Sequence, residues 1–183
     1  VALAQVGAIA LGVIASAAAW MPGLLESGLV HLDKARGGYF HWSEHLVQPW
    51  QLVWSRWGHG LSQAGTGDGM SFRLGPAHLL LAAIAGACAV DAARASRGDA
   101  ARGGRLQLTA MLLGGVVLLS FVMTPWSAPL WRVLPLIGSI QFPWRIAGLV
   151  TLLLCLLAAL ASDGLRERVP PALARFVPIT LVA

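Results

Sequence analysis

Charge is scarce in this sequence. Asp, Glu, Lys and Arg together supply 11% of its 183 residues, against 57% hydrophobic residues and a mean hydropathy of +0.70. Soluble domains carry about 25% charged residues, so the shortfall excludes a soluble globule and indicates a polytopic membrane protein. Cysteine is scarce too. Cys88 and Cys155 both fall in apolar runs, which fits packing better than a disulfide or a metal pair. There is no Gly-Lys-Ser/Thr phosphate loop, no nucleophile elbow, no Cys-x-x-Cys and no dinucleotide fingerprint. No internal repeat or low-complexity segment stands out. The net charge of +5 raises nucleic acid as a partner, but no Lys/Arg cluster is interleaved with aromatics on a polar surface, so none is expected.

Long apolar runs are what the chain does have. A bilayer needs roughly 20 apolar residues per helix. The runs predict an all-α transmembrane bundle with four spans, at 1–20, 74–92, 106–123 and 144–162, and part of a fifth at 176–183. The chain opens and closes inside apolar runs, so the expectation is one membrane domain over 1–183, part of a longer protein. Ala15 to Ala19 resembles a signal-peptide cleavage region, but without a basic leader a spanning helix is the better reading.

Basic residues set the orientation. Arg94, Arg97, Arg102, Arg105, Arg166, Arg168 and Arg175 crowd the short stretches 93–105 and 163–175, and they are seven of the thirteen Lys and Arg. The positive-inside rule makes those stretches cytoplasmic and leaves 21–73 and 124–143 outside. Trp20, Trp42, Trp50, Trp54, Trp57, Trp126, Trp131 and Trp144 all fall on or beside that outer side. An interfacial belt normally uses both faces.

Within 21–73, His41 to Val47 and Pro49 to Trp57 read as two short interfacial helices. Trp50, Val53, Trp54 and Trp57 recur at helical spacing on one face, an anchor in the interface or a platform for sugar rings. Gly58 to Gly69 reads as a flexible loop, with glycine at 58, 60, 65, 67 and 69. Asp68 sits there between two glycines, either as a turn residue or close to a ligand. His41 and His45 have metal-ligand spacing around Glu44, but no third ligand is apparent. No metal or other cofactor is assigned, and a divalent ion stays open as the alternative.

The rest of the chain is organised around Thr124 to Arg145. Pro125, Pro129, Pro135 and Pro143 stop it from forming a spanning helix. Gln141-Phe142-Pro143-Trp144-Arg145 places a guanidinium at the mouth of the next helix. Arg145 is then either an anchor that snorkels to the headgroups or a site residue. The external carboxylates Glu26, Glu44 and Asp68 are weak candidates for catalysis. They either pair with Arg56, Arg73, Arg132 and Arg145 or leave them to an anionic lipid-linked substrate.

The strings WMPGLLESG, HWSEHLVQPWQL, GTGDGMSFRLGPAHLL and above all FVMTPWSAPLWRVLPLIGSIQFPWRIAGL resemble the bacterial multi-pass proteins called membrane protein 6-pyruvoyl-tetrahydropterin synthase-related. That family looks like part of the GT-C-type class of integral-membrane glycosyltransferases. The family name is not taken literally, since pterin synthase is a soluble zinc enzyme that these apolar runs cannot build. The resemblance implies a protein of the bacterial inner membrane that uses a polyprenyl-phosphate-linked sugar for cell-envelope glycans. Gln141 to Arg145 and Asp68 match its strings; the position of Arg145 at a helix start, with Arg132 and Gln141 near it, makes these three the expected donor-phosphate site, with lipid or sugar contact by Trp144 and Trp131. In GT-C enzymes the key acid usually lies in a first external loop, and this chain matches a later portion, so no catalytic residue carries over. A lipid or glycan transporter and a non-catalytic membrane scaffold are the alternatives.

Overall fold

A computed structural model describes residues 37–95, 100–134 and 140–170, together with scattered positions between 7 and 26. The chain forms two units, Val1–His41 and Trp42–Ala183. In the first, the described positions from Gly7 to Leu25 are helical and a 3₁₀ turn spans Gly38–Phe40. Most of the expected first span, and all of the partial fifth, lie outside the described residues.

The second unit is helical, and its described residues include no strand. Four α-helices follow in order: α1 Pro76–Ala95, α2 Ala100–Val122, the short α3 Ala128–Val133 and α4 Ala147–Arg166. Three stretches are long and apolar enough to cross a membrane: Pro76–Arg94, Gly103–Val122 and Pro143–Arg166. They are apolar all round. Val150, Leu154, Leu157 and Ala161 are buried on α4, while Leu149, Leu152 and Leu156 of the same helix are exposed, as are Leu80, Met111, Val117 and Leu118 on α1 and α2. A soluble bundle would put polar residues there; lipid accepts apolar ones.

Small residues let these helices meet closely. A Cβ on Gly164 would lie 2.7 Å from Cys88 Cβ, and one on Gly115 would lie 2.9 Å from a Leu153 methyl. Such close approach is how spanning helices gain packing energy where lipid removes the hydrophobic driving force. Gly164→Ala is expected to destabilise the α1–α4 contact by about 1–3 kcal/mol, as overpacking does. A lowered thermal midpoint in detergent would show it; an unchanged one would mean the helices separate freely.

At one end of the bundle, arginines tie the helices together. Arg168 donates to Gly164 O at 2.7 Å and Cys88 O at 3.2 Å and lies 3.6 Å from Asp91, and Arg105 pairs with Glu167 at 2.8 Å. Cations beside helix C-terminal carbonyls also suit the helix dipole.

The opposite end carries a cap built from 42–75, 122–134 and 140–147. Val47 N donates to Met123 O and Leu74 N to Leu52 O, each at 2.8 Å. Trp42 stacks on Trp131 at 5.6 Å between ring centroids, and His45 meets Phe142 at 4.6 Å. The two interfacial helices expected here are 3₁₀ turns, Trp42–His45 and Pro49–Leu52, and Val53 to Trp57 is not helical. Pro49 opens the turn, which ends after Val53 N and Trp54 N both donate to Trp50 O, at 3.1 and 2.8 Å.

The flexible loop expected at Gly58 to Gly69 is instead closed on itself. Gly60 N donates to Gly69 O at 2.7 Å and Gly69 N to Leu61 O at 2.9 Å, beside an isolated antiparallel bridge from His59 to Met70. A Cβ on either Gly60 or Gly69 would lie 2.8 Å from the other's Cα. These glycines serve close backbone approach rather than flexibility.

Candidate functional site

The cap begins where α2 ends. A helix C-terminus leaves carbonyls without intrahelical partners, and these must be met elsewhere. Thr124 Oγ1 donates to Phe121 O at 2.7 Å. Ser127 Oγ donates to Val122 O at 2.7 Å and Thr124 O at 2.8 Å. Trp131 Nε1 donates to Val122 O at 2.9 Å and Ser127 Oγ at 3.0 Å. Pro125 and Pro143 open 3₁₀ turns and Pro129 sits in the first turn of α3, where the missing N–H costs no bond. Pro135 lies outside the described residues.

That arrangement reassigns Trp131. It is 2% exposed, stacked on Trp42, with its N–H engaged. It is a packing residue and offers no face to lipid or sugar, contrary to the sequence expectation. Trp144 is half-buried beside Phe72 and Phe142, at centroid distances of 6.3 and 5.6 Å. Its Nε1 is buried and finds no acceptor among the described residues.

Arg145 is exposed on the 3₁₀ turn Pro143–Ile146 that leads into α4. Its guanidinium carbon lies 4.8 Å from the Phe142 ring centre and 5.9 Å from that of Trp144. Both are within cation–π range. No carboxylate among the described residues pairs with it. Arg132 is exposed in the last turn of α3, and Gln141 is half-buried two residues before Pro143.

The carboxylates have separate places. Asp68 accepts from Gln51 Nε2 at 2.7 Å through one oxygen and from Gln63 N at 2.8 Å through the other. Gln51 is itself 6% exposed, and its Oε1 accepts from Gln48 N at 2.8 Å. Asp68 thus clamps the glycine loop to the Pro49–Leu52 turn. Glu44 is exposed and accepts from Ser43 Oγ at 3.4 Å. Glu26 is exposed in the first unit.

Asp68→Ala is expected to release this clamp at a cost of about 1–3 kcal/mol, because Gln51 keeps a buried donor without its acceptor. Hydrogen exchange at the Gln63 amide measures it, and unchanged protection would refute the clamp.

Of the two histidines at metal-ligand spacing, His41 is exposed in the first unit. His45 is buried at 1% exposure with Nδ1 2.8 Å from Ser62 Oγ. Among the described residues no group of three or more His, Cys, Asp or Glu side chains is placed to hold a metal ion. Sequence reading missed Gln51 and Ser62, whose partners lie 17 residues away and leave no local periodicity to detect.

Two hollows flank the Pro49–Leu52 turn. One, of about 250 Å³, is lined by Trp50, Gln51, Trp54, Ser55, Arg56, Thr66, Asp68 and Met70. The other, of about 360 Å³, is apolar and runs between Leu52, Val53, Leu74 and the α2 residues Val116, Val117, Ser120 and Phe121. Comparison with family models, with curated proteins and with solved structures finds no match to this chain.

Proposed function

We propose that this chain belongs to an integral membrane glycosyltransferase-like protein that takes a polyprenyl-phosphate-linked sugar for cell-envelope glycan modification. The reading places it in a bacterial inner membrane, with the arginine-tied helix ends in the cytoplasm and the cap outside. The observation that carries it is the pair of donors at the start of Pro143–Arg166. Arg145 has no carboxylate partner and Trp144 Nε1 has no acceptor among the described residues. A helix start favours an anion and disfavours a lone cation. A donor phosphate would answer the guanidinium charge, with Gln141 and Arg132 as further donors from the same cap.

Asp68 supports this reading by being engaged elsewhere, through Gln51 and Gln63. Binding is the direct test. The protein in nanodiscs should retain radiolabelled polyprenyl phosphate and exchange it against polyprenyl-phosphate sugars, but not against the free alcohol. Equal retention of alcohol and phosphate would remove the phosphate site and leave Arg145 as a headgroup anchor.

A further inference from the structure

We propose that the hollow between the Pro49–Leu52 turn and the glycine loop is a carbohydrate-binding pocket that holds one neutral pyranose ring. The pocket is separate from Arg145, Arg132 and Gln141, none of which lines it.

The walls have the two chemistries such a ring needs. A pyranose presents apolar C–H faces and a rim of hydroxyls. Trp54 N donates to Trp50 O at 2.8 Å, which fixes the backbone that carries both indoles. Both line the hollow and remain largely solvent-accessible, at 57% for Trp50 and 72% for Trp54. Exposed indoles at the lip of a polar hollow mark a place where a ligand docks.

Asp68, Gln51, Arg56 and Thr66 supply the polar rim. Asp68 is held at both oxygens yet keeps lone pairs free for hydroxyl donors, because a carboxylate accepts about four hydrogen bonds. Its position is set before any ligand arrives, which lowers the ordering cost of binding. Arg56 makes no ion pair among the described residues and offers donors to ring or hydroxyl oxygens.

Size and polarity narrow the occupant. Ligand pockets usually run from about 300 Å³ upward, so about 250 Å³ suits one ring rather than a buried oligosaccharide. A lipid chain is a poor match, since Asp68 and Arg56 would meet hydrocarbon at high cost. The apolar hollow on the other side of the turn is the better place for lipid.

The experiment is saturation-transfer NMR on the whole chain in nanodiscs. The probes are methyl α-glucoside, methyl α-mannoside and methyl α-galactoside, with no donor present, so the result is independent of the polyprenyl-phosphate reading. Transfer to at least one glycoside is expected at millimolar concentration. Trp54→Ala should weaken it by about tenfold or more, as removal of a central aromatic does. Trp57→Ala should leave it unchanged, because Trp57 is equally exposed at 72% but does not line the hollow.

Three outcomes would overturn the proposal. They are no transfer to any of the three glycosides, transfer that survives Trp54→Ala, or transfer lost equally in Trp57→Ala. Quenching of indole emission by lipids brominated along their acyl chains that disappears in Trp54→Ala would likewise overturn it, by assigning that indole to the bilayer.

Discussion

Arg145→Gln is expected to lower release of polyprenyl phosphate from a polyprenyl-phosphate sugar by about 10²–10³-fold, the loss seen when one charge-stabilising donor is removed from a reacting site. The argument rests on where the guanidinium lies. It is at the first turn of a stretch long and apolar enough to cross a membrane, over Phe142 and Trp144, with no carboxylate partner among the described residues. Arg145→Lys separates charge from geometry. Lysine keeps the positive charge but loses the planar fork that grips two phosphate oxygens. Losing one charge-assisted bond costs about 1.5–3 kcal/mol, which is roughly ten- to a hundred-fold in rate. A phosphate clamp therefore loses activity in both variants, with the glutamine the worse. Turnover assays on the full-length protein, run beside thermal melts, decide the matter. If Arg145→Gln melts earlier but turns over normally, the residue is an anchor and the donor site lies elsewhere.

Trp131→Ala carries the largest expected effect on stability, about 3–5 kcal/mol for emptying a buried aromatic site. Three losses coincide there. The Trp42 ring loses its stacking partner, Val122 O loses one of its two side-chain donors, and Ser127 Oγ loses a neighbour. The variant should unfold at markedly lower denaturant with the cap loosening first, read as faster hydrogen exchange at Val47, whose amide bonds Met123 O. Trp131→Phe should cost less, because the ring stays and only the donor goes; Ser127 Oγ still serves Val122 O at 2.7 Å. Equal losses in the two variants would mean that the hydrogen bonds, and not the packing, hold the cap.

The family resemblance stays a proposal, and so does everything it implies about the sugar donor. The geometry gives some of the residues it named other tasks. Trp131 leaves the surface set because it is buried. Asp68 gains an architectural task that the composition of its loop did not suggest. Glycine at 58, 60 and 69 looked like freedom, yet Gly60 and Gly69 sit where two backbones touch, and only the paired strand of chain reveals that.

What the amino-acid sequence determined by itself is that three of its long apolar runs are helices long and apolar enough to cross a membrane. Length and hydropathy are local, additive properties, so Pro76–Arg94, Gly103–Val122 and Pro143–Arg166 stand close to the runs visible in the sequence. Prolines marked the breaks for the same reason, since each acts on its own backbone. The tertiary structure decided what those breaks do. Whether Trp131 faces lipid or core depends on Trp42, which lies 89 residues away by number and 5.6 Å away in space. Whether Asp68 is free depends on Gln51, and what the His45 ring meets depends on Ser62. Hydrogen bonds and ring contacts act over a few ångströms between residues far apart in the chain, and that proximity exists only once the helices have packed.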